Sequence, residues 1–170
     1  MKNTGTLQVT TPNDREIVLT RVFDAPRHLV FDAFTKPELL RQWLLGPPGW
    51  TMPICEIDLR VGGKYRYVWR NVNNGNEMGM GGVYREVAPP ERIVATEKFD
   101  ESWYPGGAVV TFVITEQAGR TTVTQTILYD SREAREAVLK SPMESGVTAG
   151  FNRLEELLES FTKRSVRNLL

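Results

Sequence analysis

The sequence predicts an α+β domain in which one curved antiparallel sheet of about seven strands wraps around a long C-terminal helix. Three observations carry that prediction. Six runs rich in alternating or branched residues follow one another between residues 51 and 129, separated by short turns rich in Gly, Pro and Asn. No helical segment interrupts them, so consecutive strands pair antiparallel and a doubly wound parallel sheet is ruled out. At the C-terminal end Met143, Val147, Phe151, Leu154, Leu158 and Phe161 recur every three or four residues, the stripe of an amphipathic helix.

The elements follow in order. Residues 1–14 read as a flexible or weakly paired arm, 15–162 as a single domain and 163–170 as a tail. EIVLTRVF, residues 16–23, alternates and forms the first strand. Asp24 reads as the N-cap of a helix with Pro26 in its first turn, and Leu29, Val30, Ala33 and Phe34 continue it at helical spacing. Lys36-Pro37 starts a second short helix with Leu39, Leu40 and Trp43 on one side, and Gly46-Pro47-Pro48-Gly49 ends it. The next six strands fall at about 51–59, 64–71, 78–87, 92–99, 108–116 and 121–129. A short helix over about 131–140 precedes the long one. Ser141-Pro142 opens the long helix as N-cap and first-turn proline, and Arg153, Glu155, Glu156 and Glu159 mostly face water.

Composition narrows the function. With 41% hydrophobic and 25% charged residues the 170-residue chain supports a real core, which excludes a disordered class. Lys plus Arg equals Asp plus Glu at 21 each, so no basic excess is available for phosphate contacts and nucleic acid is not an expected partner. One cysteine, Cys55, and one histidine, His28, supply neither an internal disulfide nor a zinc ligand set. No metal or cofactor is expected. The polar N-terminus lacks the apolar core of a signal peptide, and no apolar run nears the ~18 residues of a membrane span. The chain therefore reads as cytoplasmic.

The candidate binding residues come from the strand DLRVGGKYRYVW, residues 58–69. Alternation puts Tyr65, Tyr67 and Trp69 on one face, either as core or as the wall of a pocket whose hydroxyls orient a ligand. Met78, Met80 and Tyr84 form a second row on the next strand, where Gly79, Gly81 and Gly82 read as a bulge or bend. Trp103 and Tyr104 sit in the loop ESWYPGG, placed to cover a cavity mouth or to anchor the loop. Glu97 lies in an apolar strand, where an inward carboxylate is a functional candidate. Trp43, Phe112, Val147 and Phe151 complete the expected cavity lining. Gly146 and Gly150, four apart on the long helix, let a strand or a ligand approach closely. His28, in the first turn of a helix beside Arg27, reads as a surface residue, and no nucleophile–base motif occurs.

Several strings in chain order resemble a known family: VFDAPRHLVFDAFTKPELLRQW, GPPGW, DLRVGGKYRYVW, GVYREVAPPERIV and MESGVTAGFNRLEELL. They are similar to the bacterial branch of the START and Bet v 1-like helix-grip (SRPBCC) superfamily related to the activator of Hsp90 ATPase. The resemblance implies the helix-grip fold. It does not fix an activity, because such proteins include lipid carriers, cyclases, co-chaperone domains and drug-sequestering proteins. The family often carries Trp directly after the helix glycine and two adjacent Trp before the GP turn. Here Val147 and Leu44 stand instead, which implies a roomier pocket if those positions face it.

Together these readings point to a small hydrophobic ligand, aromatic or lipid-like, held between sheet and C-terminal helix without catalysis. The alternatives are a chaperone-interaction module, which rests on the resemblance, and a polyketide cyclase-like enzyme working by shaping its substrate. Monomer and homodimer are both open.

Overall fold

The computed structural model describes residues 6–169, with side chains described for 6–164. Eight strands form one antiparallel sheet: β1 Gln8–Thr10, β2 Glu16–Phe23, β3 Trp50–Ile57, β4 Lys64–Asn71, β5 Glu77–Ala88, β6 Arg92–Phe99, β7 Ala108–Gln117 and β8 Arg120–Tyr129. The helices are α1 Arg27–Thr35, α2 Pro37–Trp43, α3 Arg132–Lys140 and α4 Met143–Leu169. The sheet order is β1-β2-β8-β7-β6-β5-β4-β3. Strands β3 to β8 thus form a continuous meander, and β2 closes onto β8, pairing Ile17 with Ile127 and Phe23 with Thr121.

The strand count is eight rather than about seven. Within the N-terminal arm Gln8–Thr10 pairs with Val18–Thr20 at the sheet edge. Three polar-flanked residues carry too little alternation to signal a strand. Two caps also differ from expectation. Asp24 does not cap α1, whose N-cap is Pro26 with no side-chain hydrogen bond. Ser141 closes α3 instead of opening α4, its hydroxyl donating to the Val138 carbonyl. Ser131 caps α3 by accepting from the Ala134 amide at 3.1 Å.

The sheet bends where β5 crosses β6. A side chain is impossible at Gly82, where a Cβ would lie 1.8 Å from the Thr96 carbonyl oxygen. Close backbone approach is the reason for a glycine in this strand. The Val83 amide turns to the Thr96 hydroxyl at 2.8 Å, and a register shift follows between Tyr84 and Glu86. A bulge of this kind curls the sheet.

The helix α4 lies across the concave face, but its principal backbone neighbours are α2, then α1 and α3, not the strands. Its close neighbour explains Gly150: a Cβ there would meet the Trp43 carbonyl oxygen at 3.3 Å. Helix α2 therefore acts as a spacer that holds α4 off the sheet. Beyond this contact α4 turns Leu154 and Leu158 fully inward. Glu155, expected at the surface, is buried and bonded at 3.0 Å to Arg21, itself 2% exposed on the inner face of β2. Arg21 also donates to Asn152 at 2.8 Å.

Candidate functional site

The core of this domain is divided. One apolar cluster gathers Phe23, Trp43, Tyr67, Trp69 and Leu154; the other gathers Ile17, Tyr104, Val110, Tyr129 and Val138. Between them lies a cavity of about 240 Å³, bounded by the concave sheet, α2 and the first turns of α4. That volume sits just below the ~300–1,000 Å³ of pockets for drug-sized ligands.

The strand alternation that placed Tyr65, Tyr67 and Trp69 on one face turns that face to the cavity. Their rings follow one another at 5.0 and 6.0 Å, and Tyr84 on β5 stands 5.4 Å from Tyr65. Their polar atoms are spent on the fold. The Tyr65 hydroxyl donates to the Thr96 carbonyl at 2.6 Å. The Tyr67 hydroxyl pairs with that of Tyr84. The Trp69 indole N–H donates to the Leu44 carbonyl at 2.7 Å, and that of Trp43 to Ala33 at 2.9 Å. Burial pushes the Tyr67 hydroxyl well above its ordinary range and that of Tyr84 up to about 12. These rings stay neutral and act as an apolar wall pinned to its frame.

Trp43, Tyr65, Tyr67, Trp69, Met80, Tyr84, Glu97, Trp103, Phe112, Val147 and Phe151 all line this cavity. Leu44 and Val147, the two positions where aromatic bulk is missing relative to the resembled family, also face it. Met78 does not join the row, being 39% exposed at the start of β5. His28 is exposed, as expected. Cys55 lies in the core with its thiol pushed up to about 11 by burial, outside the cavity lining.

The strand β6 brings in one charge. Glu97 points between Tyr65, Tyr104 and Tyr129, whose hydroxyls its charge pushes further up. It is half-buried, with part of its surface open to the cavity, and burial raises its carboxyl to about 7. Among the described residues it has neither a hydrogen-bond partner nor an ion pair for that carboxyl.

The loop after β6 holds Trp103 and Tyr104 at the edge. Gly106 adopts φ 76°, and a Cβ there would strike Asp130 at 2.3 Å. Asp130 accepts from the Gly107 amide at 2.8 Å, and this pins the loop to the end of β8. Trp103 packs at a tilt against Phe99, ring centroids 4.8 Å apart, yet remains 47% exposed, while Tyr104 turns inward against Tyr129 at 5.5 Å.

Sequence reasoning missed Gln125 and Tyr129, which face the cavity from β8. The signal was present: Val123, Gln125, Ile127 and Tyr129 alternate with threonines and Leu128 along RTTVTQTILY. Among the described residues no cluster of three His, Cys, Asp or Glu is placed to hold a metal. No described helix is long and apolar enough to cross a membrane.

Among known protein families, residues 24–159 match the one described as Activator of Hsp90 ATPase homolog 1-like protein. No curated protein matches the chain. A Rhodobacter sphaeroides crystal structure is similar at 28% identity and a TM-score of 0.87, covering 92% of this chain and 99% of that one. A Chromobacterium violaceum protein shares 29% identity at a TM-score of 0.72, covering 87% and 99%. An AHSA1-like protein from Aeromonas hydrophila, at 17% identity and a TM-score of 0.68, covers 84% and 93% and shares the fold.

Proposed function

This chain belongs to the Activator of Hsp90 ATPase homolog 1-like family, and on that premise we propose that it binds a small hydrophobic molecule, aromatic or lipid-like, in the cavity under α4. One observation carries the reading: the core is split by an aromatic-lined space that the fold takes care to keep open. Helix α2 spaces α4 from the sheet, and Gly146, Val147 and Gly150 present little bulk to the gap. Closing such a space would bury more apolar surface at ~25 cal/mol per Å², so an open one favours a ligand that buries it instead. Trp103, exposed over a pinned loop, is the gate residue of this reading.

The wall supplies binding more readily than chemistry. Its tyrosine hydroxyls are held neutral and no nucleophile with an adjacent base faces the cavity. The family description favours a second reading, a chaperone-interaction module. That reading calls for a filled interior and an active surface, and the cavity weighs against it.

Native mass spectrometry of the protein purified from its own host tests the proposal. A co-purifying molecule that is lost in Trp69→Ala supports it. A molecule retained by that variant sits elsewhere and overturns it.

A further inference from the structure

Resting on the cavity reading, we propose that the ligand is a hydrophobic amine, its apolar body under α4 and its ammonium group held against the Glu97 carboxylate. Among the described residues Glu97 is the single charged one on the cavity wall, and no Lys, Arg or His of that wall balances it. Its carboxyl meets no hydrogen-bond donor or cation among the described residues. A carboxylate set in so apolar a wall is disfavoured in its charged form, and a positive partner is what would hold it ionised.

A second, independent observation points to the same spot. Tyr104 is 4% exposed, faces the cavity, and its hydroxyl has no hydrogen-bond partner. Buried hydroxyls are nearly always satisfied, so this one marks a place for a polar group of a guest. Glu97 and Tyr104 line the same cavity, and the carboxylate charge reaches the Tyr104 hydroxyl, so one head group of a guest can be offered both. An ammonium donates three hydrogens and accepts none. Carboxylate and hydroxyl oxygen both receive them. Tyr65, Tyr129 and Trp103 face the same space with aromatic rings, which attract a cation.

The charge pattern excludes the obvious alternative. A fatty acid would bring a second carboxylate to Glu97 with no cation on the wall to offset it. The groups facing Glu97 are Tyr65 from β4, Tyr104 from the loop and Tyr129 from β8, all neutral throughout the physiological range. Because burial raises the Glu97 carboxyl to about 7, part of the population is protonated at neutral pH. Ammonium binding ionises it and releases that proton to the buffer.

Three probes of equal length test the proposal: octylamine, 1-octanol and octanoate, titrated calorimetrically at pH 7 into wild type and Glu97→Gln. Octylamine is expected to bind wild type about tenfold or more tighter than octanol, with octanoate weakest. Glu97→Gln is expected to lose the preference for the amine, bringing octylamine and octanol affinities to within a few-fold of each other. Titrating octylamine into wild type in two buffers of different ionisation enthalpy is expected to show proton release, a readout that needs no variant. Equal binding of octylamine and octanol, an amine preference that survives Glu97→Gln, or absence of proton release overturns the amine assignment while octanol binding keeps the cavity reading. Binding of none of the three overturns both.

Discussion

Along α4, residues 143–151 read MESGVTAGF and residues 152–161 read NRLEELLESF. The first segment spends Ser, Gly, Thr and Gly where the second spends Leu and Glu, the better helix formers. The structure gives the two segments different neighbours. Gly146, Val147 and Gly150 border empty space, whereas Leu154 and Leu158 are 0% and 2% exposed in solid core. The Arg21–Glu155 pair fixes the second segment to β2, and Arg153 clasps the Gly46 carbonyl at 2.7 Å. One helix thus anchors itself at one end and roofs a cavity with the other. The lesson is a separation of labour: stability resides where packing is complete, and binding capacity resides where helix propensity and packing are both weak.

The largest expected effect breaks the anchored end. Arg21→Met removes the guanidinium partner of the buried Glu155 carboxylate, at a cost of about 3–5 kcal/mol by urea denaturation. The double variant Arg21→Met with Glu155→Leu is expected to recover most of that loss, because no buried charge remains. Leu154→Ala follows at about 2–5 kcal/mol, the ordinary range for a cavity opened in a packed core. If Leu154→Ala were no more harmful than Val147→Ala, the contrast between the two segments would collapse.

Glu97 gives a pH-dependent effect of about 3 kcal/mol, since holding a proton tenfold more tightly is worth about 1.4 kcal/mol. Its folded carboxyl titrates near 7 against an ordinary value of 4.5, so the folded state holds the proton more tightly than the unfolded one. Stability from this group is full below pH 4.5 and is lost as pH rises through 7. Glu97→Gln is expected to be more stable than wild type at pH 8 and indistinguishable at pH 4. Denaturation curves at the two pH values check this; an equal difference at both would contradict it. Smallest is Gly146→Ala. Its new Cβ would meet only Pro47 Cδ at 3.8 Å, so it is expected to stabilise by about 1 kcal/mol in a thermal melt while narrowing the cavity.

Much of this was legible in the sequence. The period-2 runs and their Gly/Pro turns located β3 to β8 to within about two residues, and the apolar stripe located α4. Tyr65, Tyr67 and Trp69 were legible because strand alternation needs no tertiary information. Other features depended on partners distant in sequence. Glu155 was placed at the surface because a charge on a helix is usually solvated, yet Arg21 occupies the inward series Ile17, Leu19, Arg21, Phe23 and awaited an acid across the core. Gly150 showed that something approaches closely, but only the fold shows that it is the end of α2. That Glu97 lacks a partner is a statement about three dimensions, and no local pattern contains it.

The central claim is that the first turns of α4 roof a space kept open for a guest. Val147→Trp tests it most directly, by filling that space from the helix itself. Thermal denaturation and calorimetric titration with 1-octanol would be measured on the same variant. The account expects a melting temperature equal to or above that of wild type together with loss of octanol binding. A lowered melting temperature with octanol binding retained would show that the region under α4 is packed core and that the guest, if any, sits elsewhere.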